Sequence, residues 1–361
     1  MNRNLKIAIV VQQCGTEVLA GAERYALNLA LALAKAGNEV KVLTTQSADY
    51  TSWRNTLSAK ECLRLDPNQD RGLEHSAELE IVRFPNRGFR KPLLMRLAKL
   101  LWLIEKFIPP FANKWLSKPL DLFFLWAQGP WCPELWNYLE RNSENFDLII
   151  FKSYLYAPCV LGLRASKDSV KKIFIPTAHP EPAFYRPFVE SIIMRSSALG
   201  FVSKAEKRLV EAVWREAKQK EHLLISPGLG NEWSSETKES NSGELRPIIR
   251  ELRHYFLVLG RVDKGKNLDF ILQNTTPGMT VVFAGPGRMR IPDKRQFICL
   301  GKVSEAEKSL LLENALALLA VSKNEAFSMT TAEALAKGCP VIGWSQSAAI
   351  SELITSQLGL E

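Results

Sequence analysis

Short apolar runs alternate with helical patterns along most of the chain. The runs Leu5–Val11, Val40–Thr44, Leu79–Phe84, Asp147–Phe151, Lys172–Pro176, Leu199–Ser203 and Leu223–Ser226 read as one series of strands. Tyr255–Leu259, Thr280–Ala284, Phe297–Leu300, Leu316–Val321 and Pro340–Gly343 form a second. Runs this apolar, with helices between them, imply βαβ units whose parallel sheets are covered on both faces. The polar segment Pro227–Gly243, rich in Gly and Ser, separates the two series. The pattern predicts an α/β protein with two doubly wound domains, 1–227 and 250–361, joined by a linker over 228–249.

Helix signals sharpen this division. After the loop from Gly15 to Gly21, Ala22, Tyr25, Ala26, Leu29 and Leu33 recur at helical spacing, and Gly37 ends the helix. Ser203-x-x-Glu206, Ser304-x-x-Glu307 and Thr330-x-x-Glu333 carry the spacing of capping boxes. Between Arg87 and Lys118, Arg87, Arg90, Lys91, Arg96, Lys99 and Lys106 mix with Leu, Trp and Phe. That stretch fits either an amphipathic helix at an anionic membrane or a helical hairpin packed on the first domain.

Composition changes the picture only in part. The 361 residues are 46% hydrophobic and 24% charged, which is ordinary for a globular chain. The net charge of +9 favours anionic partners without choosing among them. Six scattered cysteines with no C-x-x-C suit reduced thiols in the cytoplasm. No export signal or membrane-spanning run is visible.

The candidate chemistry sits at strand ends. Gly15–Glu23 follows the first strand, where backbone approaches phosphates in such folds, but it lacks the G-x-G-x-x-G spacing of a dinucleotide site. In Gly260-Arg-Val-Asp-Lys-Gly-Lys-Asn267, Arg261 and Lys266 follow the strand that opens the second domain; together they can bind a diphosphate, or form a solvated basic turn. In Asn324–Val341, Glu325 and Glu333 stand eight apart, and the amides at the intervening helix start (Ser328, Met329, Thr330) suit an anion. Carboxylates suit sugar and ribose hydroxyls, although Glu333 on its own reads first as the capping residue. His179 follows a strand of the first domain. D-x-D, G-x-S-x-G and P-loop signatures are absent, which weakens metal-bridged nucleotide binding, acyl transfer and ATP hydrolysis.

Taken together these motifs resemble glycosyltransferase family 4, whose members have the GT-B architecture of two facing Rossmann-like domains. The likeness rests on the E-x7-E motif Glu325–Glu333, the G-R-x4-K motif Gly260–Lys266 and the "GAER" of 21–24, in that family's order. Asp49-Tyr-Thr-Ser-Trp53 and Tyr154-Leu-Tyr156 are similar to segments of its bacterial members. The resemblance implies a retaining, nucleotide-sugar-dependent hexosyltransferase without a metal cofactor. Arg261 and Lys266 would hold the donor's diphosphate, Glu325 the sugar, Glu333 the ribose, and Gly21 would line the phosphate-facing loop. His179 and Glu325 would act at the transferred sugar. A saccharide or lipid-linked acceptor in surface polysaccharide or glycolipid assembly, a cytoplasmic site with peripheral membrane contact through 87–118, and no nucleic acid complete the expectation. Alternatives are a non-catalytic nucleotide-sugar-binding scaffold and sugar-nucleotide epimerisation. Ala20-Gly21 replaces the family's double glycine, Pro180 stands where relatives often carry Asp, and Pro227-Gly-Leu-Gly230 replaces an Asn-Gly-x-Asp turn. The family's further helices would follow Glu361, so the C-terminal end reads as shortened.

Overall fold

A computed structural model describes residues 4–18, 21–65, 77–105, 110–229, 251–287 and 289–357. Ala20, residues 106–109, most of the expected linker (230–249) and Leu358–Glu361 lie outside the described residues. The chain divides into two compact units, the first running to Ser226 except for Ser203–Ala205, which group with the second, and the second otherwise starting at Pro227.

In the first unit, β1 (Lys6–Val10), β2 (Glu39–Thr45), β3 (Lys60–Leu65), β4 (Ala77–Phe84), β5 (Leu148–Lys152), β6 (Lys171–Ile175), β7 (Ala198–Phe201) and β8 (Glu221–Leu224) form one sheet. Their order is β3-β4-β2-β1-β5-β6-β7-β8. Ile7, Ala8, Ile9 and Val10 are all buried, as a strand needs when helices cover both faces. β3 is the departure from the expected all-parallel sheet: it runs antiparallel to β4 at the edge. Its sequence, Lys-Glu-Cys-Leu-Arg-Leu, lacks an apolar run because an edge strand can leave one face to water.

The first unit's helices are α1 (Gly21–Lys35), α2 (Pro92–Glu105), α3 (Pro110–Gln128), α4 (Pro133–Asn142), α5 (Ala157–Ala165), α6 (Pro187–Arg195) and α7 (Lys204–Val213). Arg87–Lys118 therefore contributes to a helical hairpin. α2 turns Ala98, Trp102 and Glu105 inward, and the Trp102 ring meets Phe124 of α3 at 4.6 Å between centroids. Arg186 ties the pair down, donating from Nε to Asp121 and from Nη1 to Glu105, each at 2.6 Å.

In the second unit, β9 (Tyr255–Leu259), β10 (Thr280–Ala284), β11 (Phe297–Gly301), β12 (Ala317–Ala320) and β13 (Val341–Gly343) are all parallel, in the order β11-β10-β9-β12-β13. Alternation along β9 sends Leu257 and Leu259 into one core and Val258 into another. α8 (Leu268–Asn274) covers the Val258 side with Leu268 and Ile271. α9 (Glu305–Asn314), α10 (Met329–Ala336) and α11 (Ala348–Gln357) cover the other with Leu311, Leu312, Ala334 and Ile350. The chain leaves β9 toward β10 on one side and returns to β12 on the other. The strand order thus reverses between β9 and β12, the crevice where open α/β sheets take ligands.

The expected Ser304–Glu307 capping box forms, with both reciprocal bonds present. Thr330 instead lies inside α10, whose N-cap is Ser328, and Glu333 pairs with Lys308. Glu206 reaches the amides of Val202 and Ala178.

Candidate functional site

The reversal point of the second sheet gathers the loop after β9 and the segment between β12 and α10. In the first loop, Asp263 Oδ1 accepts from the Gly265 amide at 2.9 Å, and its carbonyl accepts from the Lys266 amide at 3.2 Å. Asn267, in the left-handed region at φ 56°, donates from Nδ2 to the Val321 carbonyl at 3.2 Å and so binds the two segments together. A third loop supports them. Gly285 has φ +146°, and a Cβ there would overlap the Gly260 carbonyl. Only glycine lets the loops after β9 and β10 lie this close.

Within this frame Lys266 Nζ donates to Glu325 Oε1 at 2.5 Å, although 59 positions separate them in sequence. Both side chains are partly covered, at 24% and 18% exposure. Lys266, Glu325, Ser328 and Thr330 line a cleft floored by Val258, Leu318 and Val321. Ser328 stands at φ 85°, a strained conformation for a residue with a side chain, and its hydroxyl bonds to that of Thr331 at 2.8 Å. It therefore gives the first turn of α10 no side-chain cap. The amide end of this helix carries partial positive charge facing the cleft that Thr330 and Lys266 line.

Other expected donor residues lie near this cleft without lining it. Arg261 is on the loop leading to Lys266, 46% exposed, with Nη1 3.4 Å from Asp263 Oδ2. Met329 opens α10. Glu333 is buried on α10 and takes a 2.8 Å bond from Lys308 Nζ, which also lies 2.8 Å from Glu305. Lys308 was not singled out from the sequence; its distance from the E-x7-E motif along the chain hides the contact.

The remaining expected residues, His179 and Gly21, belong to the first unit. There the strand order reverses between β1 and β5, and the Gly15–Gly21 loop follows β1. Arg83 donates to the Cys14 carbonyl and to Glu61, and Thr16 Oγ1 bonds Glu61 at 2.8 Å. Burial would raise the Glu61 carboxyl, but the Arg83 and Thr16 bonds outweigh it and hold it below the usual range. Gly21 is exposed at the start of α1.

His179 follows β6 after Thr177, whose φ is +52°. Its ring meets Tyr154 edge-on at 6.4 Å, and Tyr154 donates to Glu181 at 2.5 Å. Its Nδ1 is buried without a hydrogen-bond partner among the described residues. Trp53 and Tyr156 pack edge-on at 5.6 Å, so the Asp49–Trp53 and Tyr154–Tyr156 segments meet. Trp53 is buried and donates to the Gln128 carbonyl, which marks this contact as structural.

Behind the His179 loop lies a buried polar group that the apolar strand pattern does not reveal. Lys152, at the end of β5, is fully buried with Nζ unbonded among the described residues and 5.3 Å from the Tyr25 ring. Burial lowers its ammonium pKa, opposed by the charges of Glu23 and Glu206. Gln12 donates to Glu23 at 2.7 Å. Glu206 accepts from Ala178 at 2.6 Å and from Val202 at 2.7 Å, so it fixes the backbone beside His179.

Burial pushes Glu206 up to about 7, against the pull of those amides and Lys152. From its ordinary 4.5 to about 7, the folded chain keeps a proton that the unfolded chain has released. The stability this group contributes is therefore complete below 4.5 and lost as pH rises through about 7. Glu206→Gln, which leaves a buried amide short of an acceptor, should cost about 1–3 kcal/mol in urea unfolding at pH 5. The cost should shrink at pH 8, because only the wild type loses the titrating contribution. An equal cost at both values would place the titration elsewhere.

Neither a family model nor a curated relative matches the chain. Solved structures do. The catalytic domain of starch synthase IV from Arabidopsis thaliana, bound to ADP and acarbose, superposes with TM-score 0.56 at 12% identity over 94% of this chain and 83% of that one. The α,α-trehalose 6-phosphate synthase of Burkholderia multivorans gives 0.55 at 11% identity over 99% and 92%. Trehalose-6-phosphate synthase from E. coli, bound with UDP-2-fluoro glucose, gives 0.53 at 10% identity over 98% and 91%. The fold is GT-B: mixed α/β, with two Rossmann-like units.

Proposed function

We propose that this chain is a retaining glycosyltransferase of family 4 that moves a hexose from a nucleotide-diphosphate sugar to a saccharide or lipid-linked acceptor. The observation that carries the reading is the convergence of Lys266, Glu325 and the uncapped start of α10 at the reversal point of the second sheet. The structural neighbours solved with ADP and with UDP-2-fluoro glucose support the nucleotide-sugar part of this reading.

The chemistry follows from charge. Breaking the bond between the sugar's anomeric carbon and the phosphate oxygen leaves its electron pair, and so negative charge, on the departing diphosphate. Lys266, Arg261 and the amides of Ser328, Met329 and Thr330 are the groups that would stabilise it, Lys266 from within the cleft, where water screens weakly, and Arg261 from the more exposed loop beside it. Lys266 has three donors, so a phosphate oxygen and Glu325 can share it. Glu325 would accept from the sugar's hydroxyls and Glu333 from the ribose; Gly21 would line the phosphate-facing loop, and His179 would act with Glu325 at the transferred sugar. The reading needs no metal, and it places the enzyme in the cytoplasm, at surface polysaccharide or glycolipid assembly.

The test is to incubate the purified chain with UDP-, GDP- and ADP-hexoses and a panel of saccharide and lipid-linked acceptors, then read the product's anomeric configuration by NMR. The donor's configuration should persist in the product. Inversion would overturn the retaining assignment, and isomerised donor without transfer would assign an epimerase. Donor binding without turnover across the panel would assign a scaffold.

A further inference from the structure

α2 turns the wrong face outward for a helix in water. Leu93, Leu97, Leu100 and Ile104 recur at i, i+4, i+7 and i+11 and are 75%, 43%, 53% and 50% exposed, opposite the buried Ala98, Trp102 and Glu105. Phe89, just before the helix, and Leu103 are exposed as well. A contiguous aliphatic ridge of this kind marks a surface that something covers.

The charges beside it say what. From Pro85 to Gln128 the only acidic residues are Glu105 and Asp121, and both are buried on Arg186. The exposed or half-exposed charges of the hairpin are therefore basic. Arg96 and Lys99 flank the ridge with no ion pair among the described residues, and Lys118 is exposed on α3. Arg90 and Lys91 stand beside the rings of Tyr50 and Trp126, at 5.4 and 3.7 Å. A second copy of the chain would bring the same cations, and a net charge of +9, against this face.

An aliphatic ridge rimmed by cations is the complement of a bilayer with anionic headgroups: the leucines reach the acyl boundary while Arg96 and Lys99 meet phosphates. No helix among the described residues is long and apolar enough to cross a membrane. We infer that the outward face of α2 lies in the surface of an anionic lipid bilayer and holds the first unit there, with Leu93, Leu97, Leu100 and Ile104 inserted. This goes beyond the donor-site reading and does not depend on it.

Vesicle co-sedimentation without nucleotide tests the inference apart from catalysis. The chain should pellet with phosphatidylglycerol–phosphatidylcholine vesicles and stay in solution with pure phosphatidylcholine; binding should weaken as salt rises. Leu97→Glu with Leu100→Glu should cut partitioning at least tenfold, on the order expected from two lost aliphatic side chains. Arg96→Gln and Lys99→Gln should each cut it about fivefold. Since the replaced leucines are exposed, the thermal transition should not fall, and donor binding should be unchanged. No vesicle binding, binding indifferent to Leu97→Glu with Leu100→Glu, or a dimer in sedimentation velocity that this double variant dissolves would each overturn the inference. Transfer activity that persists with no vesicle binding would reject the membrane face and leave the donor reading standing.

Discussion

Lys266→Ala should lower sugar transfer by about 10²–10³-fold, the usual cost of one preorganised group facing charge that develops in a transition state. Most of the loss should fall on kcat, since that charge is fullest as the bond to the diphosphate breaks. Arg261→Ala should cost less. Its guanidinium is about half exposed and faces Asp263, whereas Lys266 sits in the cleft where water screens weakly. Equal losses from the two substitutions would mean that the phosphate lies on the loop rather than in the cleft. Unchanged turnover in Lys266→Ala would remove this residue from the donor altogether.

The largest effect on stability should come from Arg186→Ala. Arg186 holds two buried carboxylates at 2.6 Å each, and its removal leaves both uncompensated, which costs about 3–5 kcal/mol. Burial already raises Asp121 to about 6, with Arg186 pulling the other way. Without the guanidinium the Asp121 carboxyl holds its proton to still higher pH, so the cost should shrink as pH falls toward about 6 and the variant's Asp121 becomes neutral before the wild type's. Urea unfolding at pH 5 and pH 8 reads this directly. Combining Arg186→Met with Glu105→Leu and Asp121→Leu should recover most of the loss, because a buried ion group is replaceable by apolar packing. If Arg186→Ala unfolds like the wild type at pH 8, the α2–α3 hairpin does not depend on this contact.

The strands were legible in the sequence because a strand buried on both faces can hold only an apolar run; Ile7–Val10 and Val281–Ala284 read this way at a glance. β3 was not, since Lys60, Glu61 and Arg64 are what an edge strand can carry. Its Glu61 instead helps fix the Gly15 loop through Thr16. The capping boxes show how far local spacing reaches. Ser304–Glu307 forms as written, but Glu333 has the same spacing and turns to Lys308, a partner that only the packing of α9 on the second sheet supplies. Glu206 likewise bonds Ala178, 28 positions away.

The candidate site was legible as residue types at strand ends, in Arg261, Lys266, Glu325 and the segment at Ser328. Their arrangement was not. The Lys266–Glu325 bond depends on β9 and β12 being neighbours, a consequence of strand order that no local window contains. The buried Lys152 reads as one polar residue closing an apolar strand. Nothing in its sequence neighbourhood shows that Glu23 and Glu206 converge on it.

The most direct test of the central claim is a thermal-unfolding titration of the purified chain with UDP, GDP and ADP, without added metal. A ligand that binds only the folded chain raises apparent stability as RT ln(1 + [L]/Kd). One of the three should raise the transition in proportion to the logarithm of its concentration, and Lys266→Ala should abolish the rise. No rise with any of the three, or an undiminished rise in Lys266→Ala, would contradict a nucleotide-sugar site between β9 and β12.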